Sequence, residues 1–300
     1  MSDATRELSP AALLARLDSI LELRAGPRID PLIEFGRELA ERGAAGGITR
    51  DRTVQALMAL LEAFAGNGRQ RMAMGEVLGM LGDPRLRAPA DGEYWQSITM
   101  PDGATVEIGR FPVTTQEFRA WAESDGYRDD GHWSEGGAGW KNTSNAPWTD
   151  LAASPESADL VVPNQPVAGI TWWEAEAYAR AHGARLLTAA EHRAACRGGE
   201  KRPYPWGAPF GDGNANTKEE ALGRPCAVGV YGADRTPDGV CDLAGNVGCW
   251  LVDGTDDGRR MLHPGSWARP SMAAWAKALE MAEPDARSAD LGFRLARDIS

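Results

Sequence analysis

Asp242-Leu243-Ala244-Gly245-Asn246-Val247 is a loop of small and turn-forming residues flanked by Cys241 and Cys249. Around it lies a region of the same character. Residues 126–166 and 203–237 are rich in Gly, Trp, Asn and Pro and exceed ordinary connection lengths, so they are binding loops or are held by aromatic packing or ions. Regular structure within this region is announced locally. Thr114 with Glu117, Thr171 with Glu174 and Thr188 with Glu191 each have the spacing of a capping box, in which the hydroxyl caps the third amide and the carboxylate returns to the cap amide. Three short helices are therefore expected. The β-prone runs 95–100 and 105–108, joined by Pro101-Asp102-Gly103, read as a hairpin.

Further outward the alphabet changes. All 11 tryptophans fall between Trp95 and Trp275, whereas the first ninety residues hold Phe35 and Phe64 as their only aromatics. Ser9-Pro10 opens a first helix with Leu13, Leu14, Leu17, Ile20 and Leu21 at helical spacing, stopped at Gly26-Pro27. Asp30-Pro31 opens a second closed by Gly43, the stripe Val54 to Phe64 is a third, and Met72 to Leu81 a fourth before Gly82-Asp83-Pro84. The last of these resembles the close of a HEAT-like repeat. Two hairpins over residues 1–88 suit a helical docking region for another protein, and Arg85 to Gly92 read as a linker.

Five motifs then occur in one order: Ile108-Gly109-Arg110-Phe111-Pro112-Val113-Thr114, Gln165-Pro166-Val167-Ala168-Gly169-Ile170-Thr171-Trp172, Tyr204-Pro205-Trp206-Gly207, the 242–247 loop, and Leu291-Gly292-Phe293-Arg294. Together they resemble the formylglycine-generating enzyme family, also called sulfatase-modifying factors. The resemblance covers residues 95–298. It implies an α+β fold, an irregular C-type-lectin-like domain, here preceded by a small all-helical region. The family includes copper-dependent oxidases of a substrate cysteine, iron-dependent sulfoxide synthases and non-catalytic binding proteins, so the site must decide.

The copper oxidases place two cysteines shortly after Gly-Gly-Ser-Tyr, as soft ligands for Cu(I). The matching stretch here, Pro264 to Ala274, contains no cysteine, which argues against copper. The family's Gly-Asn-Val-Trp-Glu-Trp is Gly245-Asn246-Val247-Gly248-Cys249-Trp250, losing a cleft tryptophan and a calcium-binding glutamate. Asp242 with the carbonyls of Gly245 and Val247 still offers oxygens to calcium, and Asn216 with Glu219 or Glu220 maps to a second calcium site. Leu187 and His192 replace a usual proline and tryptophan. The iron branch needs a histidine constellation, while His132, His182, His192 and His263 are scattered and read as packing or surface residues.

Cys241 and Cys249 either meet around a soft metal or as a redox pair, or are buried thiols. Burial is the reading favoured, and Cys196 is assigned to core. Trp133, Trp140 and Trp148, with Asn142 and Asn145, either form a ligand surface or anchor the loop. Ser266, Trp267, Arg269 and Arg294 occupy or adjoin the family's cleft segment and are the candidate ligand-binding residues, Arg294 being equally suited to an internal salt bridge.

Three function classes follow: a binding protein for a peptide, small molecule or protein partner that has lost cysteine oxidation; an oxidoreductase of the same superfamily with another metal set; or a diversified ligand-display protein. A net charge of -11 argues against nucleic acid. No uncharged apolar run of about 18 residues is present, which argues against a membrane span and places the chain in the cytoplasm.

Overall fold

The computed structural model describes residues 9–43, 47–144, 148 and 162–299. The chain divides into two compact units, Met1–Asp83 and Pro84–Ser300.

The described residues of the first unit form four helices: α1 (Pro10–Leu21), α2 (Ala25–Glu41), α3 (Ile48–Glu62) and α4 (Gly68–Leu81). Ser9 caps α1, and Asn67 with Gln70 forms a capping box on α4 that the hydrophobic stripe alone did not locate. One boundary differs from expectation. Pro31 lies inside α2, which begins six residues earlier at Ala25. Pro27 falls in the first turn, where its missing N–H has no helical partner to lose, and the Arg28 guanidinium takes the Leu21 and Leu23 carbonyls just ahead of α2. α1 packs on α2 and α3 on α4, and the two pairs meet chiefly through α2 and α4. Their apolar faces share one core around Leu17, Leu32, Phe35, Leu57, Met74 and Leu78. A side chain at Gly36 would lie 2.4 Å from Val77, so this glycine sets the approach of α2 to α4.

The described residues of the second unit carry two four-stranded sheets. In the first, the order is β1 (Trp95–Thr99), β2 (Thr105–Gly109), β8 (Leu295–Asp298), β3 (Arg185–Leu186), all antiparallel. The second runs β6 (Glu280–Ala282), β5 (Arg260–His263), β4 (Gly248–Gly254), β7 (Leu291–Phe293), with β4 and β7 parallel. The three expected helices are α5 (Thr115–Ala122), α8 (Trp172–Ala181) and α9 (Ala189–Arg197), each with its capping box formed.

Two further helices, α6 (Asp125–Arg128) and α7 (Glu135–Thr143), occupy a stretch expected to be loop. Ser124 and Ser134 cap them, and α7, with three glycines, is held by Trp133 and Trp140 stacking at 6.0 Å and by Ser134 donating to Glu176. Trp133 and Trp148 are buried, their indole N–H groups on the Tyr127 and Ala168 carbonyls. These two tryptophans are loop anchors and not a ligand surface. Asn145 lies outside the described residues.

Candidate functional site

The 242–247 loop is built around buried acids. Asp234 accepts the backbone N–H groups of Leu243, Ala244 and Gly245 at 3.1, 3.0 and 2.9 Å. Burial and the neighbouring Asp242 push its carboxyl up to about 7, against those amides, which hold it down. Asp242 and Asn246 take positive φ of 54° and 72°, conformations that short polar side chains tolerate. The Asn246 amide is fixed by the Cys226 backbone on both sides, at 2.9 and 3.0 Å.

This loop seats the cleft segment. Trp267 N–H donates to the Asn246 carbonyl at 3.0 Å, and a side chain at Gly265 would meet the Ala244 carbonyl at 2.2 Å, so only glycine fits. Buried Ser266 donates to Asp290 at 2.8 Å. The half-buried Trp267 indole donates to the Ala289 carbonyl, and exposed Arg269 bridges Glu280 at 3.2 Å and Asp290 at 3.6 Å. Three of the four candidates thus gather around Asp290. Arg294 does not join them: it is buried and donates to the carbonyls of Gly109, Cys241 and Asp242, a clamp on main chain and not an ion pair. Beyond Ser266 the same segment exposes Met272 (75%) and Trp275 (45%), with Leu279 close by in sequence.

Sequence reasoning missed Asp290 and Asp234. Asp290 stands two residues before Gly292-Phe293-Arg294, a position that pointed to it. Asp234 has no spacing signal, because its partners are backbone amides.

The metal candidates are dispersed. Both Glu219 oxygens receive the Ser271 N–H, at 2.8 and 3.1 Å, and the Thr217 hydroxyl donates to one of them. Glu220 takes the Gly213 N–H and the Tyr231 hydroxyl. Asp242 accepts from Gly229 N–H at 2.7 Å, and Cys249 stands in apolar core where the shell would need another oxygen. With Gly245 and Val247 offering carbonyls alone, Asn216 donates its amide N–H to Asn246 and leaves its buried Oδ1 without a partner, an oxygen open to a cation but far short of calcium's six to eight. Cys241 and Cys249 belong to different clusters, the first packed with Phe111 and Val228, the second with Ile98, Leu187 and Cys196. Burial pushes both thiols up to about 11. They do not pair, and a two-thiolate copper site does not fit the residues present. Among the described residues no three His, Cys, Asp or Glu side chains converge as a metal site.

Two small sheets, short capped helices and long stretches of irregular chain define a mixed α+β domain. The sulfatase-modifying factor enzyme 1-like domain family matches residues 83–299, and the chain belongs to it. Hercynine oxygenase of Mycolicibacterium thermoresistibile is 33% identical over 241 residues, 66% of this chain and 52% of its own. The inactive C-alpha-formylglycine-generating enzyme 2 of Bos taurus is 26% identical over 257 residues, 68% of this chain and 85% of its own. Among solved structures, PvdO from Pseudomonas aeruginosa superposes with a TM-score of 0.48 at 19% identity, over 68% of this chain and 91% of its own. The chain spans about half the length of the hercynine oxygenases it matches. No described helix is long and apolar enough to cross a membrane.

Proposed function

We propose that this chain is a binding member of the family, which keeps the fold and the Trp267–Arg269 surface seated on buried Ser266, and has lost copper-dependent cysteine oxidation. The observation that carries this reading is the state of the thiols. Cu(I) chemistry needs paired, accessible thiolates. All four cysteines are buried, and none lies in the cleft segment. In their place that segment offers exposed Met272 and Trp275 beside charged Arg269, Lys277 and Glu280, a mixture suited to a peptide ligand. The helices of the first unit would then dock a protein partner.

Cu(I) titration against a chromophoric competitor, with oxygen uptake measured on adding a cysteine peptide, tests the loss. Weak binding that survives Cys249→Ser, without uptake, is expected. Tight stoichiometric binding with uptake would overturn the reading. A phage-displayed peptide library should yield binders to the protein that are lost on Trp275→Ala.

The similarity to hercynine oxygenases supports a second reading, an oxidoreductase with a different metal set. Elemental analysis of protein purified without a metal-affinity tag separates the two, since stoichiometric iron would favour the enzyme.

A further inference from the structure

The exposed side chains of Met272 and Trp275 belong to a wider surface than their own segment. Ala276 N–H donates to the Pro203 carbonyl at 2.9 Å, and buried Ala274 packs with Tyr204, Trp206 and Phe210, so residues 203–210 run alongside 272–277. Tyr204 and Trp206 are half-buried and stack almost parallel, with ring centroids 5.0 Å apart. Together with Met272 and Trp275 they make a partly exposed apolar and aromatic patch, the kind of surface that anchors a partner's apolar side chain.

Charge around this patch is uneven. At one border the acids are held: Glu219 by the Ser271 N–H, Glu280 and Asp290 by Arg269. At the border next to Pro203 the chain is basic. Residues 193–202 set Arg193, Arg197, Lys201 and Arg202 against the single acid Glu200, and Lys277 follows directly on Ala276. Cations elsewhere in the second unit commonly hold a carboxylate, as Arg119 holds Glu123, Arg185 holds Glu191 and Asp298, and Arg297 holds Glu107. Among the described residues, Arg193, Arg197, Lys201 and Lys277 hold none. Lys201 and Lys277 are exposed, and the Lys277 ammonium lies over the Trp275 ring at 5.7 Å. In a chain of net charge -11 this is a local surplus of cations without counter-charge.

Given the peptide reading of this surface, on which this step rests, we propose that the peptide is acidic. An apolar residue of it lies on Met272 and Trp275, and carboxylates a few residues away meet Lys201 and Lys277. Apolar anchors supply most of the affinity of such a contact, while rim charges steer the encounter and select the partner. Aromatic rings beside a basic border also fit single-stranded nucleic acid. The molecule's net charge opposes a strand with one negative charge per nucleotide, whereas a short peptide brings its few carboxylates to the basic border alone.

The test pans a phage-displayed library of random dodecapeptides against the full chain and keeps the binders that are lost on Trp275→Ala. A fluorescein-labelled synthetic copy of the strongest is then titrated by anisotropy. The selected sequences should combine an apolar residue with net negative charge, and the paired reversals Lys201→Glu and Lys277→Glu should weaken the synthetic peptide about tenfold. Both lysines are exposed, so the fold should survive their replacement, and Lys201→Glu leaves the Trp275 ring untouched. Added salt should weaken binding to the wild type more than to the double variant. Neutral or basic binders that depend on Trp275, or an affinity unchanged in the double variant, would overturn the acidic peptide and leave the peptide reading standing. The absence of any Trp275-dependent binder would remove both. Tighter binding of a fluorescein-labelled oligothymidylate of equal length would assign the surface to nucleic acid and overturn the proposal as well.

Discussion

Glu174 carries more than a helix cap. Its side chain is fully buried, and besides the Thr171 N–H and hydroxyl it accepts the Tyr127 hydroxyl, the Trp148 N–H and the Arg287 guanidinium, tying α6, α8 and the irregular connection between β6 and β7 to one carboxylate. Removing it would strand a mostly buried arginine and several donors. Glu174→Ala should therefore cost about 3–5 kcal/mol, as for a broken buried pair, while Thr171→Ala should cost about 1 kcal/mol, as for a lost cap. Urea unfolding of the two variants checks this. Equal losses would reduce Glu174 to a cap. The Thr-x-x-Glu spacing made the cap legible, because both partners lie within one turn. Arg287 is 113 residues away in sequence, and no local pattern could reveal it.

Where α9 meets the second sheet, His192 and His263 stack with ring centroids 4.2 Å apart, both buried. The Cys196 thiol lies 3.8 Å from His192 Nδ1, and Gly265 N–H donates to His263 Nδ1, which leaves His263 Nε2–H for the Trp275 carbonyl. Burial holds His192 well below the usual histidine range and lowers His263 to about 4. Between pH 6.5 and 4 the unfolded chain thus binds a proton at this position that the folded chain refuses. The contribution is complete above pH 6.5 and drains away as pH falls, about 2–3 kcal/mol by pH 4.5 for His263 alone. Glu117, Asp234 and Asp242, with carboxyls raised to about 7, 7 and 6, slope the opposite way, so the whole-protein profile mixes both signs. The difference between wild type and His263→Asn isolates the histidine, since asparagine keeps an acceptor and a donor. Wild type should lose that amount relative to the variant between pH 7.5 and 4.5, measured by urea unfolding. Parallel profiles would mean that the ring titrates normally. In sequence these histidines looked scattered, and only the packing of α9 on β5 brings them together.

At the scale of the molecule, the composition shift near residue 90 marked two regions, and the tryptophan-rich one proved to be the family domain. What sequence alone could not set is where that domain begins. Arg85 to Gly92 has no apolar periodicity and read as a linker, yet it is bonded into the second unit. Arg85 donates to the Gly229 carbonyl, Leu86 packs with Phe111, Val228 and Cys241, and the Trp95 indole donates to the Pro89 carbonyl at 2.9 Å. Such contacts are carried by main-chain carbonyls and one leucine, which leave no periodic trace. A fragment of residues 84–300 should therefore fold alone with the near-UV circular dichroism of the full chain's tryptophans. One beginning at Trp95 would leave the buried indole N–H unpaired and uncover the Phe111 cluster, for a loss of about 2–4 kcal/mol. Equal urea midpoints for the two fragments would show that the strap of residues 85–89 adds nothing. A fragment 84–300 that fails to fold would mean instead that the second unit depends on the helices before it.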